Sequence, residues 1–146
     1  VDIKLIIPAL IPEEYLPDVH MRLIFYKRIA NAVSDSELRE LQVEMIDRFG
    51  LISGFLKNLF HVTSIKLYAR KLGVTKLETG SKDGRIEFAS TTSIDPITLV
   101  ELVQKQPGIY HFQGPNGLKF NYEMETSDQR IQGATNLLGL LEPSKN

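Results

Sequence analysis

Two short loops constrain the fold of this chain more than any other feature. Gly80-Ser81-Lys82-Asp83-Gly84 separates residues 74–79 from 85–89, and Gly114-Pro115-Asn116-Gly117 separates 109–112 from 118–122. Residues 74–79 and 85–89 alternate apolar and polar side chains, the period of a strand with one buried face. Both loops carry the glycines and turn formers of a hairpin. A sheet assembled from hairpins has antiparallel neighbours and needs no crossover helix between its strands. The expected class is therefore α+β.

Helical periodicity fills most of the remainder. Residues 3–10 read as one extended segment, ended by Pro8, Pro12 and Pro17, which lack the backbone donors of a central strand. Asp18 caps a helix expected over about 19–33. Its run from Met21 to Ala30 is apolar over more than half its circumference, as in a helix packed against several elements. Arg22, Lys27 and Arg28 interrupt that run and would snorkel to solvent. Ser34 and Glu37 have capping-box spacing, opening a second helix that stops at Gly50 and buries Leu38, Leu41, Met45 and Phe49. A third, capped by Ser53, carries Leu56, Leu59, Phe60, Ile65, Leu67 and Leu72 to Gly73. Short connections predict that these three helices form an antiparallel cluster. Asp95-Pro96 starts a fourth helix, and a fifth is expected over about 127–141 with Ile131, Leu137, Leu138 and Leu141 inward.

The expected organisation is a single domain over 1–146, with a lead-in strand over 1–17, a helical part over 18–73 and a sheet-containing part over 74–146. The N-terminus lacks a starting Met and a signal-peptide pattern and opens in mid-strand, so the expectation is a domain excised from a longer chain.

Composition removes several function classes. Seventeen basic against eighteen acidic side chains give a formal net charge of -1, which lacks the basic excess of a dedicated nucleic-acid or anionic-membrane binder. No apolar run approaches the roughly 18 residues needed to span a bilayer, so no membrane partner is expected. Without cysteine there is no disulfide framework, thiolate metal site or cysteine nucleophile, and a cytoplasmic location is expected. His20, His61 and His111 lie far apart, with no second ligand at metal spacing. The 80–84 loop has neither a GKS/T ending nor a following helix to cradle phosphate, and no GxSxG elbow is present. No catalytic residue, metal or cofactor is expected.

Two charged surfaces remain. Lys66 and Arg70, four apart on the third helix, share a face that could meet nucleic-acid phosphate, or simply be its solvated side. On the second helix Glu40, Glu44, Asp47 and Arg48 sit at offsets of three and four, opposite the Leu38-Leu41-Met45 stripe. That strip is either an exposed helix face or an acidic docking surface for a basic partner.

Three ordered motifs then point to a family. Leu10-Ile11-Pro12-Glu13-Glu14-Tyr15-Leu16-Pro17-Asp18-Val19, Arg22-Leu23-Ile24-Phe25-Tyr26-Lys27-Arg28-Ile29-Ala30 and Val43-Glu44-Met45-Ile46-Asp47-Arg48-Phe49-Gly50 resemble the C-terminal (TRCF) domain of the bacterial transcription-repair coupling factors, the Mfd family. Lys71-Leu72-Gly73, Ile86-Glu87-Phe88 and Gly117-Leu118-Lys119-Phe120 extend the resemblance over essentially the whole chain. The resemblance implies a non-catalytic autoinhibitory module of a large ATP-dependent DNA translocase, in transcription-coupled nucleotide-excision repair. It implies docking on the parent's UvrB-like domain, masking the surface that UvrA would use, with RNA polymerase and DNA contacted by other domains of the parent. The family's docking face falls on ExxDR, here Glu44, Asp47 and Arg48, with Glu40 added by helical geometry. Glu44 and Asp47 would meet basic groups, Arg48 would meet an acid or orient Glu44, and Phe25, Tyr26 and Ile29 would build the core. The alternative is an accessory nucleic-acid-binding module using Lys66 and Arg70.

Overall fold

The computed structural model describes residues 1–143. Its elements run β1 (Asp2–Lys4), α1 (Val19–Ala30), α2 (Asp35–Phe49), α3 (Gly54–Leu72), β2 (Val74–Thr79), β3 (Gly84–Phe88), α4 (Pro96–Lys105), β4 (Tyr110–Gln113), β5 (Gly117–Phe120) and α5 (Ser127–Leu141). The α+β class and this element order are those expected. Packing divides the chain into two compact units, Ile7–Leu67 and Val1–Ile6 with Tyr68–Asn146. The division falls at 67/68, within α3, whereas the change in apolar period falls at 73/74.

In the helical unit, local chemistry sets the helix ends. Asp18 Oδ1 accepts from the amides of His20 and Met21 at 2.9 and 3.2 Å, satisfying donors that the first turn of α1 leaves free. α1 ends at Ala30, three residues short of the expected end. Val33 and Ser34 already belong to the start of α2, where the Glu37 amide donates to Ser34 Oγ and the Val33 amide to Glu37 Oε2. Gly50, at φ +99°, closes α2 with its amide on the Ile46 carbonyl.

Phe25, Ile29, Leu38, Leu41, Met45, Leu56 and Phe60 form the centre of this unit's core, joined by Ile11, Leu16 and Ala32. Tyr15 is half-buried against it and donates its hydroxyl to the Gly50 carbonyl at 2.8 Å. Phe49 receives Tyr15 and Phe25 edge-on, with centroids 6.1 and 5.6 Å away. The proline-rich segment makes no strand. It is tied down instead by Leu10 donating to the Phe55 carbonyl, Ile11 to the Tyr26 hydroxyl and Asn58 to the Pro8 carbonyl. Of the extended segment expected over 3–10, only Ile3 and Lys4 lie in a paired strand.

The second unit holds a five-stranded sheet in the order β1-β2-β3-β5-β4. β1 runs parallel to β2, and every other neighbouring pair is antiparallel. Leu77, Ile86 and Leu118 lie opposite one another across β2, β3 and β5, each fully buried. The second hairpin joins the sheet through β5, which places β4 at the edge. Ala134, Leu137, Leu138 and Leu141 of α5 are buried, and α5 packs on β2. Thr126 and Gln129 exchange side-chain and backbone bonds at the start of α5, forming a capping box. Gly84 admits the Phe120 ring, since a Cβ there would lie 2.2 Å from Phe120 Cζ.

Candidate functional site

The acidic strip of α2 is brought into contact with α1. Leu38, Leu41 and Met45 are buried in the core, which turns Glu40, Val43, Glu44 and Asp47 away from it. Glu40, Asp47 and Arg48 are exposed, while Glu44 is half-buried. Arg28 of α1 donates Nη1 to Glu44 Oε2 at 2.6 Å and Nη2 to Oε1 at 2.7 Å. Arg48, one turn beyond Glu44 on α2, donates Nη1 to the same Oε2 at 3.2 Å. Glu44 therefore serves as the hub of a three-residue ionic cluster.

Aromatic rings fix the two guanidinium groups. Arg28 lies over the Phe25 ring at 5.1 Å, and Arg48 lies over Phe25 at 5.5 Å and Phe49 at 5.1 Å. The cations are thereby oriented by packing as well as by charge. The hydrogen bond from Arg28 holds the Glu44 carboxyl below its ordinary range, and Arg48 adds to the effect. The same bond raises the Arg28 guanidinium above its usual value. Both shifts favour the charged forms of Glu44 and Arg28 at neutral pH.

Arg28 is the residue that sequence reasoning missed. It reads there as one of three charges snorkelling from an apolar helix, and sixteen positions separate it from its partner. Arg48 donates to Glu44, the weaker of the two cation contacts to that carboxylate. Glu40 and Asp47 make no ion pair among the described residues.

The neighbouring surface is less polar than the strip. Val43, next to Glu44, is 58% exposed, and Ile24, one turn before Arg28, is also exposed. The wide apolar face of α1 predicts packing on several elements, but Val19, Leu23 and Ile24 remain uncovered. The ionic cluster consequently sits beside apolar side chains that meet water.

The other sequence candidates are not gathered into a site. Lys66 and Arg70 are exposed on α3, with no ion pair to either among the described residues. Among the described residues no group of three His, Cys, Asp or Glu side chains could hold a metal. Nor is any described helix long and apolar enough to cross a membrane. A 360 Å³ depression beside the first hairpin loop contains Arg85, Lys119, Glu78 and Asp83. Its cations are already matched, with Lys119 3.7 Å from Asp83 and Arg85 bonded to Glu87.

Comparison with known proteins places this geometry in context. The family model described as TRCF domain matches residues 5–99. A transcription-repair-coupling factor from Haemophilus influenzae is 44% identical over 137 residues, covering 94% of this chain and 12% of that protein. The corresponding protein of Escherichia coli is 41% identical over 141 residues, covering 97% of this chain and 12% of that protein. The chain thus spans about one eighth of the length of these curated relatives. A crystal structure of the C-terminal domain of a transcription-repair coupling factor superposes with a TM-score of 0.78 at 25% identity, covering 99% of this chain and 95% of that one.

Proposed function

The chain belongs to the TRCF domain family, and from that membership we propose that it is a non-catalytic regulatory module of a transcription-repair coupling factor. In the resting parent protein it docks on the UvrB-like domain through α2 and covers the surface that UvrA would use. RNA polymerase, DNA and ATP are engaged by other parts of the parent. The observation that carries this reading is an ordered ionic cluster, Arg28-Glu44-Arg48, flanked by exposed Asp47 and Glu40 and by uncovered Ile24 and Val43.

The division of labour within the strip follows from its bonds. Glu44 already accepts three hydrogen bonds, so its main contribution is to hold Arg28 and Arg48 at fixed positions. Asp47 and Glu40 present carboxylates to a basic partner, and the guanidinium edges present donors to an acidic one. The exposed apolar side chains supply the centre of the contact and the charges its register and partner choice. A contact of this mixed kind releases more readily than a buried apolar seam.

UvrA titrated against the whole parent protein tests the clamp. A docking free energy of about 2–3 kcal/mol would hide the surface in roughly 97–99% of molecules. Glu44→Ala with Asp47→Ala is then expected to strengthen apparent UvrA affinity by about 30- to 100-fold. Unchanged affinity in a double variant that remains folded refutes the clamp. The nucleic-acid alternative through Lys66 and Arg70 rests on their exposure alone, against a chain with net charge -1.

A further inference from the structure

A second concave surface lies in the helical unit, on the flank of α2 turned away from Glu44. It is a cleft of about 440 Å³ between α2 and α3, lined by Arg39 and Gln42 on one side and Lys57, His61 and Ser64 on the other. Its floor is apolar, formed by Leu38, Ile52 and Phe60. Helical spacing explains the convergence. Arg39 and Gln42 are three apart on α2, while Lys57, His61 and Ser64 are four and three apart on α3.

The charge in this cleft is unbalanced. Arg39 and Lys57 are exposed and neither has an acidic partner among the described residues. Lys4, Arg28, Arg48, Lys76, Arg85, Lys105 and Lys119 each have one, while Lys66 and Arg70 also lack one among the described residues, so what sets Arg39 and Lys57 apart is that both line one cleft. The only carboxylate lining the cleft, Asp35, accepts the Ser64 hydroxyl at 2.6 Å. The lining therefore sets two cations and an imidazole against one carboxylate, which is turned to Ser64, around a concave space.

We propose that this cleft binds a short acidic peptide segment, with a carboxylate held between Arg39 and Lys57 and an adjacent apolar side chain against Ile52. Arg39 offers a planar donor fork suited to carboxylate, Lys57 a mobile ammonium, and Gln42 an amide able to bond the peptide backbone. Ile52, half-buried where Leu38 and Phe60 are covered, gives the cleft an apolar contact suited to a peptide side chain and not to a polyphosphate. A single-stranded nucleic acid needs a cationic track and exposed aromatic platforms, whereas here the aromatic residue Phe60 is buried. The cleft and the Glu44 cluster lie on different flanks of α2, so one can be altered without touching the other.

The test is titration of the isotope-labelled 146-residue chain with the acetylated pentapeptide Glu-Leu-Asp-Glu-Leu, followed by amide chemical shifts. Shift changes are expected at Arg39, Gln42, Ile52, Lys57, His61 and Ser64, with a dissociation constant of about a millimolar or tighter. Arg39→Glu with Lys57→Glu should weaken binding about tenfold or more, and added salt should weaken it further. Both side chains are exposed, and an unchanged melting temperature verifies that the variant is folded. A Lys-Leu-Lys-Lys-Leu peptide serves as the charge control. Absence of shifts at several millimolar acidic peptide, shifts confined to other surfaces, or equal binding of the basic peptide would each overturn the site. Tighter binding of a ten-residue oligothymidylate in the same cleft would overturn the peptide as its ligand.

Discussion

Replacing Arg28 with alanine probes the Arg28–Glu44 contact that organises the α2 strip. Arg28 makes two short hydrogen bonds to Glu44, at 2.6 and 2.7 Å, and lies 5.1 Å above the Phe25 ring. The side chains of Arg28 and Glu44 are 43% and 34% exposed, so water screens the pair and limits its worth to about 0.5–1 kcal/mol. The cation–π contact at a site this open contributes about 0.5 kcal/mol. Arg28→Ala should therefore lose about 1–1.5 kcal/mol. With a urea dependence of about 2 kcal/mol/M, the unfolding midpoint falls by about 0.5–0.8 M with an unchanged slope.

A double-mutant cycle with Glu44→Ala should isolate a coupling of about 0.5–1 kcal/mol at pH 7. Its pH dependence has a definite sign. The Glu44 carboxyl lies below its usual value near 4.5 in the folded chain, chiefly because Arg28 donates to it. The stabilisation is fully present above the unfolded value and fades as pH drops from about 4.5 through the lower folded value. No coupling at pH 7, or the same coupling persisting at pH 2, would refute the picture of Glu44 as an ionised hub.

Two further substitutions test the backbone of the second unit. Ile6 is 73% exposed yet adopts φ +57°, a conformation costly for a β-branched residue. Ile6→Gly should relieve more strain than the entropy that glycine costs, gaining about 0.5–1 kcal/mol and raising the melting temperature by about 1–4 °C. A lower melting temperature would contradict this. Gly84→Ala should destabilise by about 3 kcal/mol, because the new methyl meets the buried Phe120 ring and, at 2.7 Å, the Glu78 carbonyl oxygen. Urea unfolding measures it, and a loss below about 1 kcal/mol would mean that the ring and strand yield freely.

The local features of the chain were legible because their causes lie within a few residues. Asp18, Ser34 and Asp95 each accept bonds from amides two or three positions ahead. Gly50 and the two glycine-containing loops mark reversals in the same way. The acidic strip was legible for a related reason, since helical spacing alone puts Glu40, Glu44, Asp47 and Arg48 on one side of α2. The motif resemblance singled out three of these four, but carried no information about what Glu44 touches.

Tertiary structure decided the partnerships. β1 pairs with β2 across more than seventy residues, and β5 rather than β4 lies beside β3. Neither follows from alternation, which specifies a buried face but not a neighbour. Arg28 finds Glu44, and Arg39 faces Lys57 across a cleft, only because α1, α2 and α3 share one apolar core. The sequence by itself determined where the helices begin and which side α2 and α5 bury, because caps, turns and apolar periods act over a few residues, but it overran α1 by three residues and the first strand by six. Only the packed chain decided which charges meet and which are left open, because those contacts require distant helices and strands to be closed against one another first.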